Sequence, residues 1–251
     1  MPHHVLEGRT AVITGASSGI GLATAQVFAT EGAQVVITGR SRPALDAAVA
    51  QIGGGAVAIA GDVADPAHHG LVAEEVRRRF GGLDIYVANA GINTITPSAE
   101  VSEAEYDAQF AVNARGVFFG VQKIAPLIRD GGAIVLVGSL ASDKTLEGHA
   151  VYAGSKAALG AFARSWALEF SPRRIRVNVL SPGPTDTAIL GKLGIAPEAR
   201  PGFEAAMANA IPLGRMGRAD ELARAALFLA SDASSFVTGV NLRADGGMAL
   251  V

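Results

Sequence analysis

Three side chains in the middle of the chain have the types and spacing to do chemistry. Tyr152 and Lys156, in the stretch YAGSK, stand four residues apart. On a helix that separation puts both on one face, within reach of each other. A cation beside a phenol favours phenolate and lowers its pKa from about 10, which makes a tyrosine usable as a general acid near neutral pH. By itself the pair reads equally well as an ordinary surface couple on an amphipathic helix. Ser139 changes the balance, because it closes the apolar run AIVLVGS thirteen residues before the tyrosine. A hydroxyl that polarises a carbonyl, a phenol that delivers a proton and a cation that tunes the phenol make a carbonyl-reduction site. The hydride must come from a cofactor, since no side chain supplies one.

Other clusters offer places for a dinucleotide. AVITGASSGIG, residues 11–21, reads as a strand, a tight glycine-rich turn and a helix start. Gly15 allows the turn, Gly19 lets backbone approach a pyrophosphate, and Gly21 lets the helix pack on the strand, with Ser17, Ser18 and Ile20 between them. The N–H groups at the helix start then receive the phosphates. A merely tight connection is the plainer alternative. The spacing departs from G-x-G-x-x-G and no G-K-[ST] follows, which argues against a nucleoside-triphosphate loop. In VVITGR, the acid that would bond a ribose 2′-hydroxyl is replaced by Gly39, and Arg40 follows. A guanidinium there suits a 2′-phosphate, or else caps the next helix or lies in solvent. Asp62 and Val63 in GDV, and Asn89, Ala90 and Gly91 in ANAG, follow two further strands. Asp62 can accept from an adenine amino group and Gly91 permits a sharp turn by the cofactor, although such residues also dominate ordinary turns.

The elements that must hold these residues alternate along the chain. Strand patterns cover residues 10–14, 34–38, 56–60, 85–88, 133–137, 176–180 and 240–242. Helical patterns cover 19–30, 42–50, 66–80, 103–112, 116–128, 151–170 and 220–230. Short continuous apolar runs such as AVIT, IVLV and VNVL suit parallel strands covered on both faces. The alternation predicts an α/β fold, a single-domain, Rossmann-type, doubly wound parallel sheet of about seven strands. Ligands of such sheets bind outside the carboxyl ends of the strands, which is where the clusters above fall. Residues 187–210 depart from the regularity and are expected to form a helical lid. Its Ile189, Leu190, Leu193, Ile195, Phe203 and Met207 suit an apolar substrate body, or simply pack the lid down.

Composition narrows the partners. Of 251 residues, 49 % are hydrophobic and 18 % charged, which suits a folded core rather than disorder. A net charge of −2 gives no footprint for nucleic acid or an anionic membrane. No run reaches the ~18 apolar residues of a membrane span. Cysteine is absent, so disulfides, thiol nucleophiles and thiolate metal sites are excluded. The opening MPHHVLEGRT lacks a basic-then-apolar signal pattern, so a cytoplasmic location is expected. His3-His4 and His68-His69 are adjacent pairs whose helical side chains point apart; they are expected to be solvated, and no metal is expected. His149, three residues before Tyr152, could border the substrate or cap the helix.

These motifs, in this order, resemble those of the short-chain dehydrogenases/reductases, including 3-oxoacyl-thioester reductase-like members, over residues 8–247. The family's T-G-x-x-x-G-I-G matches Thr14 through Gly21, its N-A-G matches Asn89–Gly91, and its Y-x-x-x-K matches Tyr152 and Lys156. Its serine matches Ser139, its helix asparagine matches Asn113 in AVNARG, and its P-G matches Pro182 and Gly183. The resemblance implies that Tyr152 is the general acid/base, that Ser139 orients the carbonyl, and that Lys156 holds the nicotinamide ribose while acidifying the tyrosine. It implies that Asn113 supports a water relay to Lys156, and that Pro182, Gly183, Thr185 and Thr187 line the nicotinamide side. Many members carry an acid at the end of the second strand, so its absence implies NADP(H) in preference to NAD(H). Ala88 departs from the pattern where many members have a second Asn. The implied reaction is hydride transfer between NADP(H) and a small-molecule carbonyl or secondary alcohol. A 3-oxoacyl-thioester reductase and a non-catalytic dinucleotide sensor are the alternatives. The helix at 151–170 and the C-terminal FVTGVNLRADGGMALV resemble family segments that pack between subunits, which implies a homotetramer.

Overall fold

The structure, a computed structural model, describes residues 4–187, 198 and 200–251. Its strands are β1 (Thr10–Thr14), β2 (Gln34–Gly39), β3 (Val57–Ala60), β4 (Leu83–Ala88), β5 (Ile128–Val137), β6 (Arg176–Pro182), β7 (Thr185–Asp186), β8 (Gly217–Arg218) and β9 (Asn241–Ala244). Seven form one sheet in the order β3-β2-β1-β4-β5-β6-β9, parallel at each pairing. The order reverses between β1 and β4, which opens a crevice at their carboxyl ends. The two-residue strands β7 and β8 pair apart from the main sheet.

The helices are α1 (Gly19–Thr30), α2 (Arg42–Ile52), α3 (Pro66–Phe80), α4 (Glu103–Phe110), α5 (Gly116–Ile124), α6 (Ala150–Glu169), α7 (Arg200–Asn209) and α8 (Ala219–Ala230). Successive strand side chains point to opposite faces, and two cores result. Val12, Tyr86, Ile134 and Val177 face one way and pack with Val76 of α3, Val121 of α5 and Leu159 of α6. Ala11, Ile13, Val87 and Val135 face the other way and pack with Phe28 of α1, Leu45 of α2 and Leu229 of α8. Burial on both faces is why these strands read as unbroken apolar runs. Local chemistry sets several helix ends. Asp65 caps α3 by accepting from the Ala67 N–H at 2.9 Å, with Pro66 in the first turn. Gly81, at φ 69°, ends α3 in the left-handed conformation.

The largest departures from the expected boundaries lie between residues 103 and 137. The helices expected at 103–112 and 116–128 are one continuous rod, because a π-helical turn over Ala111–Arg115 joins α4 to α5. The same rod stops at Ile124, not residue 128: Pro126 has no N–H to continue it, a short 3₁₀ turn follows, and Ile128 already pairs with Leu83 in the sheet. The strand expected at 133–137 therefore begins earlier, through an irregular stretch opposite Leu83 and Ile85. Of the expected lid, α7 is helical, while 188–197 and 199, which include Ile189, Leu190, Leu193 and Ile195, lie outside the described residues. No helix among the described residues is long and apolar enough to cross a membrane.

Candidate active site

The glycine-rich turn is built by contacts with the end of β4. Gly15 sits at φ 65°, and a Cβ there would lie 2.7 Å from Ala90 Cα. Both reasons require glycine. Thr14 latches the two strand ends, its hydroxyl accepting from the N–H groups of Asn89 and Ala90 at 3.0 Å each. Asn89 Nδ2 donates back to the Thr14 and Gly15 carbonyls at 2.8 and 3.2 Å. Gly21 is packed against the Asn89 side chain and the Gly15 carbonyl, so its smallness serves the turn itself rather than the strand. Ser18 precedes α1 without a side-chain cap. The first N–H groups of that helix thus have no capping side chain and are suited to an anion.

The catalytic candidates meet at the carboxyl ends of β4 and β5. Tyr152 and Lys156 share the sheet-facing side of α6 with Leu159 and Ala163, which are buried. That register carries Lys156 to 4 % exposure, and its Nζ donates to the Val137 carbonyl at 2.7 Å. Ser139 Oγ accepts from the Ala141 N–H at 3.1 Å, which orients the hydroxyl, and Ser139 lines the same cavity as Tyr152. Burial pulls Lys156 down to about 8. Burial pushes Tyr152 up from its ordinary value, with the Ser139 hydroxyl acting against it. In these surroundings desolvation of the phenolate dominates, and the Lys156 ammonium is directed to the Val137 carbonyl.

Asn113 lies fully buried in the π turn, a distortion common at functional sites. Its Oδ1 accepts from the Ile92 N–H and its Nδ2 donates to the Ile92 carbonyl, both at 2.9 Å. Nδ2 also donates to Ser155 Oγ at 3.0 Å, and Ser155 donates to the Tyr152 carbonyl at 2.8 Å. Gly91 is the hinge of this cluster: a Cβ there would lie 3.0 Å from Lys156 Nζ and 3.3 Å from Asn113 Oδ1.

One cavity of about 500 Å³ runs from the glycine turn to the catalytic cluster. Every residue expected at the cofactor site lines it, from Gly15, Ser17, Ser18, Gly19, Ile20 and Gly21 through Asp62 and Val63 to Pro182, Gly183, Thr185 and Thr187. Arg40 is exposed at its edge and has no ion-pair partner among the described residues, whereas Arg42 pairs with Asp46 at 2.9 Å. Asp62 uses one oxygen on the Ala64 N–H at 2.9 Å. Thr187 lies against Gly19, and Thr185 donates to the Gly183 carbonyl at 2.9 Å. His149 borders the cavity and makes no side-chain cap to α6. Phe203 and Met207 of α7 line it as well.

Known proteins resemble this chain along nearly its whole length. A family model described as enoyl-(acyl carrier protein) reductase matches residues 15–249. The chain is 40 % identical over 251 residues to a 3-oxoacyl-[acyl-carrier-protein] reductase of Thermotoga maritima, covering 98 % of this chain and 99 % of that protein. It is 37 % identical over 247 residues to a D-threitol dehydrogenase of Mycolicibacterium smegmatis, covering 96 % and 93 %. A short-chain dehydrogenase/reductase structure from Serratia marcescens superposes with a TM-score of 0.91 at 34 % identity, covering 98 % of this chain and all of that one. The chain is a short-chain dehydrogenase/reductase. As such, it is an oxidoreductase acting on CH–OH or C=O groups with a nicotinamide dinucleotide.

Some residues of the enzyme gain a role only from the structure. Thr14 and Ser155 sit inside quoted motifs, yet only the folded geometry gives them partners 75 and 42 residues away. The expectation of solvated histidines fails at His68 and His69, which are 3 % and 2 % exposed. His69 Nε2 bonds the Val63 carbonyl at 2.9 Å and fastens the Asp62–Val63 turn. His68 packs on Gly61 with neither ring nitrogen partnered. Burial lowers the pKa of both, which keeps them neutral. Ala88 lies in the sheet opposite Leu136, where only its backbone bonds.

Proposed function

We propose that this enzyme is an NADP(H)-dependent carbonyl reductase or alcohol dehydrogenase, working in the cytoplasm as a homotetramer, with Tyr152 as its general acid/base. The observation that carries the reading is the convergence of Ser139, Tyr152 and Lys156 in the same cavity as the uncapped start of α1. The residues fit a dinucleotide: Gly15, Gly19 and the α1 N–H groups suit its pyrophosphate, Asp62 its adenine, and Arg40 a 2′-phosphate. When bound, the nicotinamide supplies the hydride.

The chain's own residues do the rest. Ser139, steadied by the Ala141 N–H, holds the substrate oxygen. Tyr152 delivers its phenolic proton to that oxygen in reduction and takes it back in oxidation. Lys156 holds the ribose and, once turned from Val137 toward the phenol, favours its ionised form. Asn113, clamped on Ile92, keeps the backbone beside Lys156 in place.

A second reading, reduction of a 3-oxoacyl thioester, is supported by the Thermotoga relative. NADPH oxidation measured with simple ketones and with acetoacetyl-CoA separates the two. Turnover of ketones supports the first reading; turnover confined to the thioester supports the second. NADPH binding without turnover of any carbonyl would leave a dinucleotide sensor and overturn both.

A further inference from the structure

We propose that His149 accepts a hydrogen bond from a hydroxyl group on the substrate, which makes hydroxyketones better substrates than plain ketones. The inference rests on the carbonyl-reductase reading above and names a specificity-determining residue within that site.

The ring's tautomer follows from its partner. His149 Nδ1 lies 2.8 Å from the Glu147 carbonyl oxygen. A carbonyl only accepts, so the proton is on Nδ1. With the ring proton on Nδ1, Nε2 is left as the acceptor, and the ligand group that matches it is a donor.

The ring is also held in place relative to the reacting group. It lines the same cavity as Ser139 and Tyr152. Its centroid is 6.3 Å from that of the Tyr152 ring, with the planes at 66°. The His149 carbonyl accepts from the Ala153 N–H at 2.7 Å, and the Gly148 carbonyl accepts from the Thr96 N–H at 2.9 Å. Gly148 is pressed on Ile95, which a Cβ would approach to 2.9 Å. This loop therefore presents His149 at a set distance from the phenol.

The neighbours select a hydroxyl among donors. Ile95, Leu146, Phe203 and Met207 line the same cavity as His149 and give it apolar surface. An ammonium would need a counter-charge, and the one carboxylate lining the cavity among the described residues is Asp62, beside the adenine position. A neutral hydroxyl near the carbonyl meets both conditions. Because His149 is only half-buried, water can satisfy Nε2 when no hydroxyl is present. Discrimination should then be that of one neutral hydrogen bond, about 2- to 10-fold.

The test compares kcat/KM for cyclohexanone and its 2-, 3- and 4-hydroxy derivatives with NADPH, in wild type, His149→Phe and His149→Gln. At least one hydroxyketone should exceed cyclohexanone by about 2- to 10-fold in wild type. The ratio should fall to near one in His149→Phe, which keeps a ring and removes the acceptor, and return in His149→Gln, whose amide oxygen can accept. Because each variant is judged by a ratio within itself, a general loss of folding cannot mimic the result. Equal rates for all four ketones in wild type, or a preference that survives His149→Phe, would overturn the proposal while leaving the carbonyl-reductase reading intact. Reduction of none of them would overturn both.

Discussion

Lys156 Nζ donates to the Val137 carbonyl at 2.7 Å, one helical turn beyond Tyr152 and at the carboxyl end of β5. The bond anchors a buried ammonium on the sheet, at the place where Ser139 follows two residues later. Burial alone brings this lysine down to about 8, and that has a consequence for stability.

An unfolded chain holds the Lys156 proton up to about pH 10.4, whereas the folded protein releases it near 8. Between those values the unfolded state binds more protons, so stability rises with pH. Urea unfolding should show the wild type gaining about 1–3 kcal/mol relative to Lys156→Met between pH 7 and pH 10. A difference that stays flat across that range would show that the ammonium is not desolvated.

Removing the Tyr152 hydroxyl takes away the proposed proton donor and little packing. Tyr152→Phe should lower kcat by at least about 100-fold with the thermal midpoint and NADPH affinity near wild type. Turnover within a few-fold of wild type would end the mechanism.

At Gly91 the constraint is space. An added methyl meets Lys156 Nζ at 3.0 Å and the Asn113 amide at 3.3 Å. Lys156 Nζ is held by one hydrogen bond and the Asn113 side chain by three, so the lysine yields first and Gly91→Ala should cost more in activity than in folding. We expect about a tenfold or greater loss of kcat with a stability loss of about 1–2 kcal/mol, checked by kinetics and urea unfolding on one preparation. A stability loss with unchanged kcat would contradict it.

Cofactor choice should follow Arg40. A charge-assisted bond to a 2′-phosphate is worth about 1.5–3 kcal/mol, or roughly 10- to 150-fold in kcat/KM for NADP(H) over NAD(H). A side chain at Gly39 would make only ordinary contacts, 3.4 Å to Leu45 and 3.5 Å to Ser17, so Gly39→Asp is a clean reversal. With Arg40→Leu it should move preference toward NAD(H). If the wild type already favours NAD(H), Arg40 is a bystander.

Apolar side chains stand out on the two segments expected between subunits, α6 and the C-terminal stretch, and on the neighbouring α5. Leu168 of α6 is 78 % exposed and Phe118 of α5 is 38 % exposed, the latter packed on Phe162 and Trp166. Phe236 and Leu250 near the C-terminus are exposed too. Light scattering at micromolar concentration should give a tetramer, and Phe118→Asp with Leu168→Glu should give a smaller species. A monomeric wild type would refute this.

By itself the sequence determined the sheet, the order of its units and the spacing of Tyr152 and Lys156, because those depend on residues close together in the chain. Two-sided burial leaves unbroken apolar runs, and a helix brings positions four apart to one face. What tertiary structure decided are contacts between distant segments. The π turn that buries Asn113 is stabilised through Ile92 and Ser155, 21 and 42 residues away, so no local pattern announced it. Ile128 belongs to a strand because Leu83 lies opposite it. His68 and His69 look like surface residues until the fold sets them against Gly61 and Gly120, whose missing side chains leave room for imidazole rings. The direction of the Tyr152 shift was likewise hidden, since spacing shows which charge is near but not how much water the fold removes. Desolvation is a property of the whole packed cavity, and only folding the chain creates it.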